Sequence, residues 1–239
     1  MSIDAVIFDW GGTLTPWHDI NLYSQWYAYA EVYDPVHAGA LAQQLLDAEV
    51  QRWRLQRESG GETSTGALES IFINLGIDTG SATHLNALAT YLDFWAPHTF
   101  ADPQARDLLQ QLRADGLLIG VLSNTLWPRT HHQEVFERDN LSELIHVACY
   151  TSEMPVAKPH LDAFKLIAGE IGVKPERCAF VGDRLWDDIF GAQQVGMRAI
   201  WIPHSRVPNE QVPESDAVPD AVANELSDVL GIVRQWRSV

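Results

Sequence analysis

The run Ala5-Val6-Ile7-Phe8-Asp9-Trp10-Gly11-Gly12-Thr13-Leu14 decides how the other residues of this 239-residue chain are read. Four consecutive apolar residues, stopped by an acid and broken by a glycine pair, describe a strand buried on both faces with a turn directly after it. Such a strand needs parallel neighbours, and the chain supplies them only beyond residue 99. There a helical face (Ala105, Leu108, Leu109, Leu112) precedes a strand over 117–122 that ends at Ser123-Asn124. A second strand covers 145–149, followed by the helical face Leu161, Phe164, Ala168 and Ile171. A third covers 178–181 and ends at Gly182-Asp183. A helix to about 195, a strand over 199–202 and a helix over 224–236 complete the pattern, and the Pro-rich run from Pro203 to Pro219 reads as a solvated loop. Alternating helices and apolar strands imply an α/β fold, a doubly wound parallel sheet covered on both faces.

The intervening residues, 17–98, read as helical throughout. Asn21 caps a helix through Tyr33, and Asp34-Pro35 reads as the cap and first position of a second helix. In that helix Ala42, Leu46, Val50 and Trp53 step by four, four and three along one face. Two more helices cover about 65–75 and 83–95, and no alternating strand pattern occurs. The block is therefore an insertion after the first strand. The expected division is an α/β core of 1–16 and 99–239 with an all-helical cap of 17–98.

Composition narrows the function. Hydrophobic residues make up 46% and charged ones 20%, as in globular proteins with a core. The 16 Lys+Arg face 32 Asp+Glu, a formal charge of -16, which disfavours nucleic acid and membrane surfaces as partners. Cys149 and Cys178 are the only cysteines, so no disulfide framework is expected. No apolar run reaches the ~18 residues of a membrane span, and no leader pattern opens the chain. The expected location is the cytoplasm, and the oligomeric state is open.

In an open parallel sheet, polar residues at the carboxyl ends of the strands meet in one crevice. Four loops contribute there: Asp9-Trp10-Gly11-Gly12, Ser123-Asn124-Thr125, Ala157-Lys158-Pro159, and Gly182-Asp183-Arg184 through Asp187-Asp188-Ile189. Carboxylates hold a hard Mg²⁺ ion, and one of them can attack phosphorus. An ammonium and a hydroxyl then meet the charge that develops on the phosphoryl oxygens.

These four segments, in this order, resemble motifs one to four of the haloacid dehalogenase (HAD) superfamily, in its phosphatase-like branch, and the helical block resembles that family's inserted cap. The resemblance implies Asp9 as nucleophile and metal ligand. It implies Ser123 as a hydroxyl bonding the transferring phosphoryl group, with the Asn124 amide beside it. Lys158 would pair with Asp9 and the phosphate oxygens. The Gly11 carbonyl, Asp183 and Asp188 would complete the metal ligands. Asp188 is preferred to Asp187 because Asp188-Ile189-Phe190-Gly191-Ala192 resembles the family's segment after that acid. The implied activity is Mg²⁺-dependent hydrolysis of a small phosphomonoester, a phosphorylated metabolite, through an aspartyl phosphate.

One position departs from the pattern. Family phosphatases carry a second Asp two residues after the nucleophile, where this chain has Gly11. That acid protonates the leaving oxygen, a contribution of ~10²–10⁴-fold. His18, Asp19, His131 and His132 are the candidates to replace it. The departure keeps two alternatives open: a catalytically weak relative that binds a phospho-ligand or a protein, and a 2-haloacid dehalogenase. The second needs no metal, whereas Asp183 with Asp187-Asp188 favours a metal site. Phosphonate hydrolysis needs a cap lysine, and Lys158, Lys165 and Lys174 are the only lysines.

Trp10, Trp17, Trp127 and Trp186 lie beside the motif loops, as a rim for a ring-shaped leaving group or as packing between core and cap. Arg52, Arg54 and Arg57, the only Lys or Arg residues of 17–98, read as a solvated face beside Glu49 and Glu58. The cap carries no chemical signature that names the substrate.

Overall fold

The computed structural model describes residues 2–203 and 213–238, so most of the run from Pro203 to Pro219 lies outside the described residues. Six strands form one sheet in the order β3-β2-β1-β4-β5-β6. They are β1 (Ala5–Phe8), β2 (Leu118–Ser123), β3 (Val147–Tyr150), β4 (Cys178–Gly182), β5 (Arg198–Trp201) and β6 (Ala221–Val222). Every neighbouring pair is parallel. The unbroken apolar character of β1 follows from its place at the centre. Val6 and Phe8 join the core built with α5 (Ala105–Ala114) and α9 (Leu226–Arg237). Ala5 and Ile7 join the opposite core, built with α7 (Leu161–Ile171) and α8 (Gly191–Gln194). Alternate side chains thus meet helices on both faces, which removes the polar half of the usual strand pattern. From β1 the chain runs outward through β2 to β3, then returns to place β4 on the other side of β1. The strand order therefore reverses between β1 and β4, where a crevice opens at the carboxyl ends.

Residues between β1 and α5 form four helices: α1 (Leu22–Tyr33), α2 (Ala38–Glu58), α3 (Leu68–Asn74) and α4 (Ala82–Trp95). Asn21 caps α1 as expected, accepting hydrogen bonds from the backbone N–H groups of Tyr23 and Ser24 at 3.0 and 3.3 Å. Two expectations for α2 need correction. Asp34-Pro35 does not start it. The Asp34 N–H closes α1 on the Ala30 carbonyl at 2.8 Å, and its carboxylate accepts the His37 N–H at 3.3 Å. Residues 34–37 are spent on the turn between the helices, so α2 begins later.

The inward face of α2 is Ala38, Ala42, Leu45, Glu49 and Gln56, whereas Val50 is 48% exposed. Two of these inward positions are polar, so the apolar period shares only Ala42 with the fully buried face, while Leu46 and Trp53 pack half-buried along its edge. Glu49 is buried, not solvated. It accepts hydrogen bonds from Trp26 Nε1 at 2.7 Å and Gln25 Nε2 at 2.9 Å, and burial raises its carboxyl pKa.

Helix α6 (Arg129–Arg138) and strand β6 escaped the sequence reading. The stretch expected to be an ordinary helix after β4 opens as a π-helical turn, Leu185–Phe190, before α8. Among the described residues no helix is long and apolar enough to cross a membrane.

Candidate active site

The Asp9 N–H donates to the Val181 carbonyl at 2.9 Å, one residue beyond the end of β1. Phe8 is in register with Val121 and Val181, so Asp9 falls level with Leu122 and Gly182 at the crevice. Ser123 and Asp183 follow one residue on. The chain then turns back over this edge: the N–H groups of Thr13 and Thr15 both donate to the Trp10 carbonyl. Gly12 has φ +89°, and a Cβ there would stand 2.5 Å from Asp183 Oδ2. Only glycine meets both demands, the left-handed backbone and the close approach to a carboxylate.

Lys158 joins the loops. Its Nζ lies 2.8 Å from Asp9 Oδ1 and 2.6 Å from Asp188 Oδ1, with the residue 1% exposed. Asp9, Asp183 and Asp188 each offer a carboxylate oxygen within 4.8 Å of the others. Asp188 Oδ2 accepts the Arg184 N–H at 2.9 Å. Thr13 Oγ1 donates to Asp183 Oδ1 at 3.4 Å, while Asp183 Oδ2 is buried with no hydrogen-bond partner. Burial pushes the Asp188 carboxyl up to about 7 against the pull of Lys158. Burial also holds Asp183 well above the usual carboxylate range; Arg184 opposes the rise, and Asp188 and Asp9 add to it. Burial alone would lower the Lys158 ammonium, and Asp188 and Asp9 more than reverse that, leaving it raised. When all three carboxylates are ionised, their charge exceeds that of the Lys158 ammonium and the Arg184 guanidinium together, and the raised values of Asp183 and Asp188 reflect that crowding along with burial.

The remaining expected residues fall as follows. Ser123, 2% exposed, ends β2 in register with Tyr150. Asn124, read as a phosphate ligand, holds the lysine loop: its Nδ2 donates to the Lys158 carbonyl at 3.0 Å, and its Oδ1 accepts the Lys158 N–H at 2.9 Å. Gly11 forms a short bridge with Thr15, and a Cβ built on it meets nothing within 4 Å. Asp187 is 5% exposed, with Oδ2 3.9 Å from Arg184 Nη1 and Oδ1 without a partner.

None of the candidates to replace the second acid is hydrogen-bonded to this cluster among the described residues. His18 Nδ1 pairs with His98 Nδ1 at 2.8 Å, where the chain enters and leaves the helical block, and Asp19 is exposed. His131 and His132 sit in an aromatic pile. His132 stacks on Tyr150 with ring centroids 4.3 Å apart and meets the edge of Trp10 at 4.9 Å. Burial lowers their pKa values to about 4 and about 3, so both rings are neutral at pH 7 and have no acidic proton to give.

The tryptophans pack rather than form an open rim. Trp10 and Trp127 are 7% and 9% exposed, 5.8 Å apart, and Trp95 of α4 meets Trp127 at 5.1 Å. Trp186 stacks on Phe190 at 4.5 Å. The Arg184 guanidinium lies 5.4 Å from the Trp17 ring centre. Arg184 was not among the expected site residues, although a cation inside an acidic loop is a readable signal. Arg54 pairs with Glu58 at 2.7 Å on the surface, and Arg52 reaches the Thr65 carbonyl at 3.4 Å.

Comparisons with known proteins agree with this arrangement. The chain is 26% identical over 233 residues to a glyceraldehyde 3-phosphate phosphatase of Methanopyrus kandleri, covering 98% of each. It is 28% identical over 131 residues to a phosphoglycolate phosphatase of Mannheimia succiniciproducens, which is 55% of this chain and only 56% of that protein. Among solved structures it is similar to an L-2-haloacid dehalogenase, with a TM-score of 0.63 and 25% identity over 98% of this chain and 100% of the other. A HAD phosphatase from Thermococcus onnurineus shares the fold, with a TM-score of 0.66 and 19% identity over 97% of this chain and 98% of that one. The sequence pattern of the haloacid dehalogenase-like hydrolases itself runs through residues 3–196, from the first residues before β1 to the end of the acidic loop and its helix. With the sheet order and the four converging loops, that match places the chain in the family: it belongs to the haloacid dehalogenase-like hydrolases.

Proposed function

We propose that this hydrolase is a Mg²⁺-dependent phosphatase of a small phosphorylated metabolite, acting through an aspartyl phosphate on Asp9, with residues 17–98 serving as its cap. The observation that carries this reading is the cluster of Asp9, Asp183 and Asp188 around Lys158, in which the buried Asp183 Oδ2 atom has no hydrogen-bond partner. A set of carboxylate oxygens with surplus negative charge fits a hard divalent cation. Asp9, Asp183 and Asp188 would hold it, with the Gly11 carbonyl as a further oxygen. When bound, the ion supplies Lewis-acid charge to the phosphoryl oxygens.

The chain's own groups do the following. An Asp9 carboxylate oxygen attacks phosphorus, and the bond from phosphorus to the leaving oxygen breaks. Lys158 balances charge on the phosphoryl oxygens, and the Ser123 hydroxyl donates to one of them. Asn124 acts through the Lys158 main chain. Water then attacks phosphorus in the acyl phosphate, and its bond to Asp9 breaks to release inorganic phosphate. The burial of Asp9, Lys158 and Asp188 keeps bulk water from competing in the first step. The relatives named for glyceraldehyde 3-phosphate and phosphoglycolate support a small substrate. Soluble behaviour in the cytoplasm belongs to the same reading.

The test separates leaving groups. An aryl phosphate departs as a stable anion and needs little proton help, whereas an alkyl phosphate needs it. Turnover of the aryl phosphate is expected with Mg²⁺ and not with a chelator, with alkyl phosphates slower. In Gly11→Asp the new side chain enters open space. Alkyl phosphate turnover is expected to rise by roughly 10–10²-fold in that variant, with the aryl rate little changed. No turnover of any phosphomonoester, together with phosphate binding, would instead mark a binding protein. Halide release from a chloroacid without metal would mark a dehalogenase.

A further inference from the structure

The lysine of the site is held from two directions, and one of them is the helical block. Gln56 lies in the last turns of α2, 2% exposed, and its Nε2 donates to the Lys158 carbonyl at 2.6 Å. The same carbonyl accepts Asn124 Nδ2, and the Lys158 N–H is held by Asn124 Oδ1. A buried carbonyl needs one donor to be satisfied, and this one has two, from residues 34 and 102 positions away.

The contact is part of a polar seam. The Ala157 N–H donates to the Gly61 carbonyl at 2.8 Å. Gly61 has φ +84°, and a Cβ there would collide with the Ala157 carbonyl oxygen. Ser64 Oγ donates to the Thr151 carbonyl at 2.6 Å. Thr65 Oγ1 donates to the Thr125 carbonyl at 2.7 Å and meets Thr151 Oγ1 at 2.9 Å. The Leu68 N–H donates to the Leu126 carbonyl at 2.8 Å. Residues 56–68 are therefore laid along the loops that follow β2 and β3, the first starting directly after Ser123 and the second carrying Lys158.

We propose that Gln56 is a positioning residue for Lys158, so that seating the end of α2 on the core sets the lysine between Asp9 and Asp188. This rests on the phosphatase reading. Lys158 Nζ keeps both carboxylates only while its main chain stays in place, and displacements of about 1 Å at a reacting group cost about 10²-fold in rate. Gln56 touches neither Asp9 nor the phosphoryl group. Its effect passes through the carbonyl of Lys158.

Gln56→Met keeps the length and removes the donor. Gln56→Glu keeps the shape and places a carboxylate against a carbonyl until it is protonated, when its O–H donates again. Both are tested in the full chain with an aryl phosphate and Mg²⁺. Gln56→Met is expected to lower kcat by roughly 10–10²-fold with KM little changed, and to weaken vanadate inhibition in parallel. Gln56→Glu is expected to be as impaired at pH 8 and to recover toward the wild-type rate at pH 5.5, while the ratio for Gln56→Met stays flat. That recovery separates a donor from a packing role, and it decides the matter if Gln56→Met fails to fold. An active wild type with an equally active Gln56→Met, a rise in KM alone, or no acid recovery in Gln56→Glu would overturn this inference and leave the phosphatase reading standing. A wild-type chain without phosphatase activity would overturn both.

Discussion

Asp9→Asn is expected to lower kcat by on the order of 10⁴-fold or more, with the fold intact and no phosphoenzyme trapped by acid quench and mass spectrometry. The amide has the shape of the carboxylate but cannot form the bond to phosphorus. The variant should fold, because the backbone N–H that seats residue 9 on Val181 is untouched. Lys158 keeps its 2.6 Å contact with Asp188. One negative charge also leaves the neighbourhood of Asp183 and Asp188, both of which Asp9 pushes upward. The melting temperature in chelator should therefore match the wild type within a few degrees. The rise in melting temperature on adding Mg²⁺ should shrink, because a cation held by fewer carboxylates binds more weakly. A variant that keeps more than about one per cent of the activity would show that another group attacks phosphorus.

The parts of this site that were legible in the sequence share a physical reason. Asp9, Ser123 and Asp183 each follow an apolar run that a parallel sheet buries on both faces, so strand and stop signal are read together. Strand order then carries them to one edge. What was illegible depended on burial of polar side chains. Glu49 and Gln56 take inward positions on α2, so the apolar period of Ala42, Leu46, Val50 and Trp53 runs along the edge of the buried face, with Leu46 and Trp53 half-buried and Val50 exposed. Helix α6 buries His131 and His132 beside Val135 and Phe136, the only two apolar residues in an otherwise polar run, so its face has no clear hydrophobic period. The same histidines looked like proton donors because a sequence gives the residue type and not the aromatic pile that keeps the rings neutral. Gln56 belongs to no motif, and only the folded chain brings it to Lys158 across 102 positions.

Lys158→Met is expected to cost both activity and stability, and the pH dependence of the stability loss identifies its cause. The variant keeps a long flexible side chain in a fully packed place and removes the ammonium. Asp9, Asp183 and Asp188 then face one another, with oxygens within 4.8 Å and no cation between them. Breaking a buried ion pair in this way costs about 3–5 kcal/mol. Removing a charge aimed at the reacting group costs on the order of 10²–10³ in kcat. Burial already holds Asp188 at about 7 with Lys158 present, and its loss raises that value further. A carboxyl whose folded pKa exceeds its unfolded value, ~3.9, binds more protons in the folded chain between the two values. Stability then falls as pH rises through that window and returns as pH drops back. The deficit of Lys158→Met against wild type should therefore be larger at pH 8 than at pH 5.5, growing above about pH 7 by up to about 1.4 kcal/mol per pH unit for each extra proton held. Lys158 is itself charged at both pH values, and the neutral His131 and His132 contribute equally to both proteins, so neither disturbs the comparison. Urea denaturation in chelator at the two pH values measures it. A deficit of the same size at both would mean that lost packing, and not the exposed repulsion of the carboxylates, is what the lysine prevents.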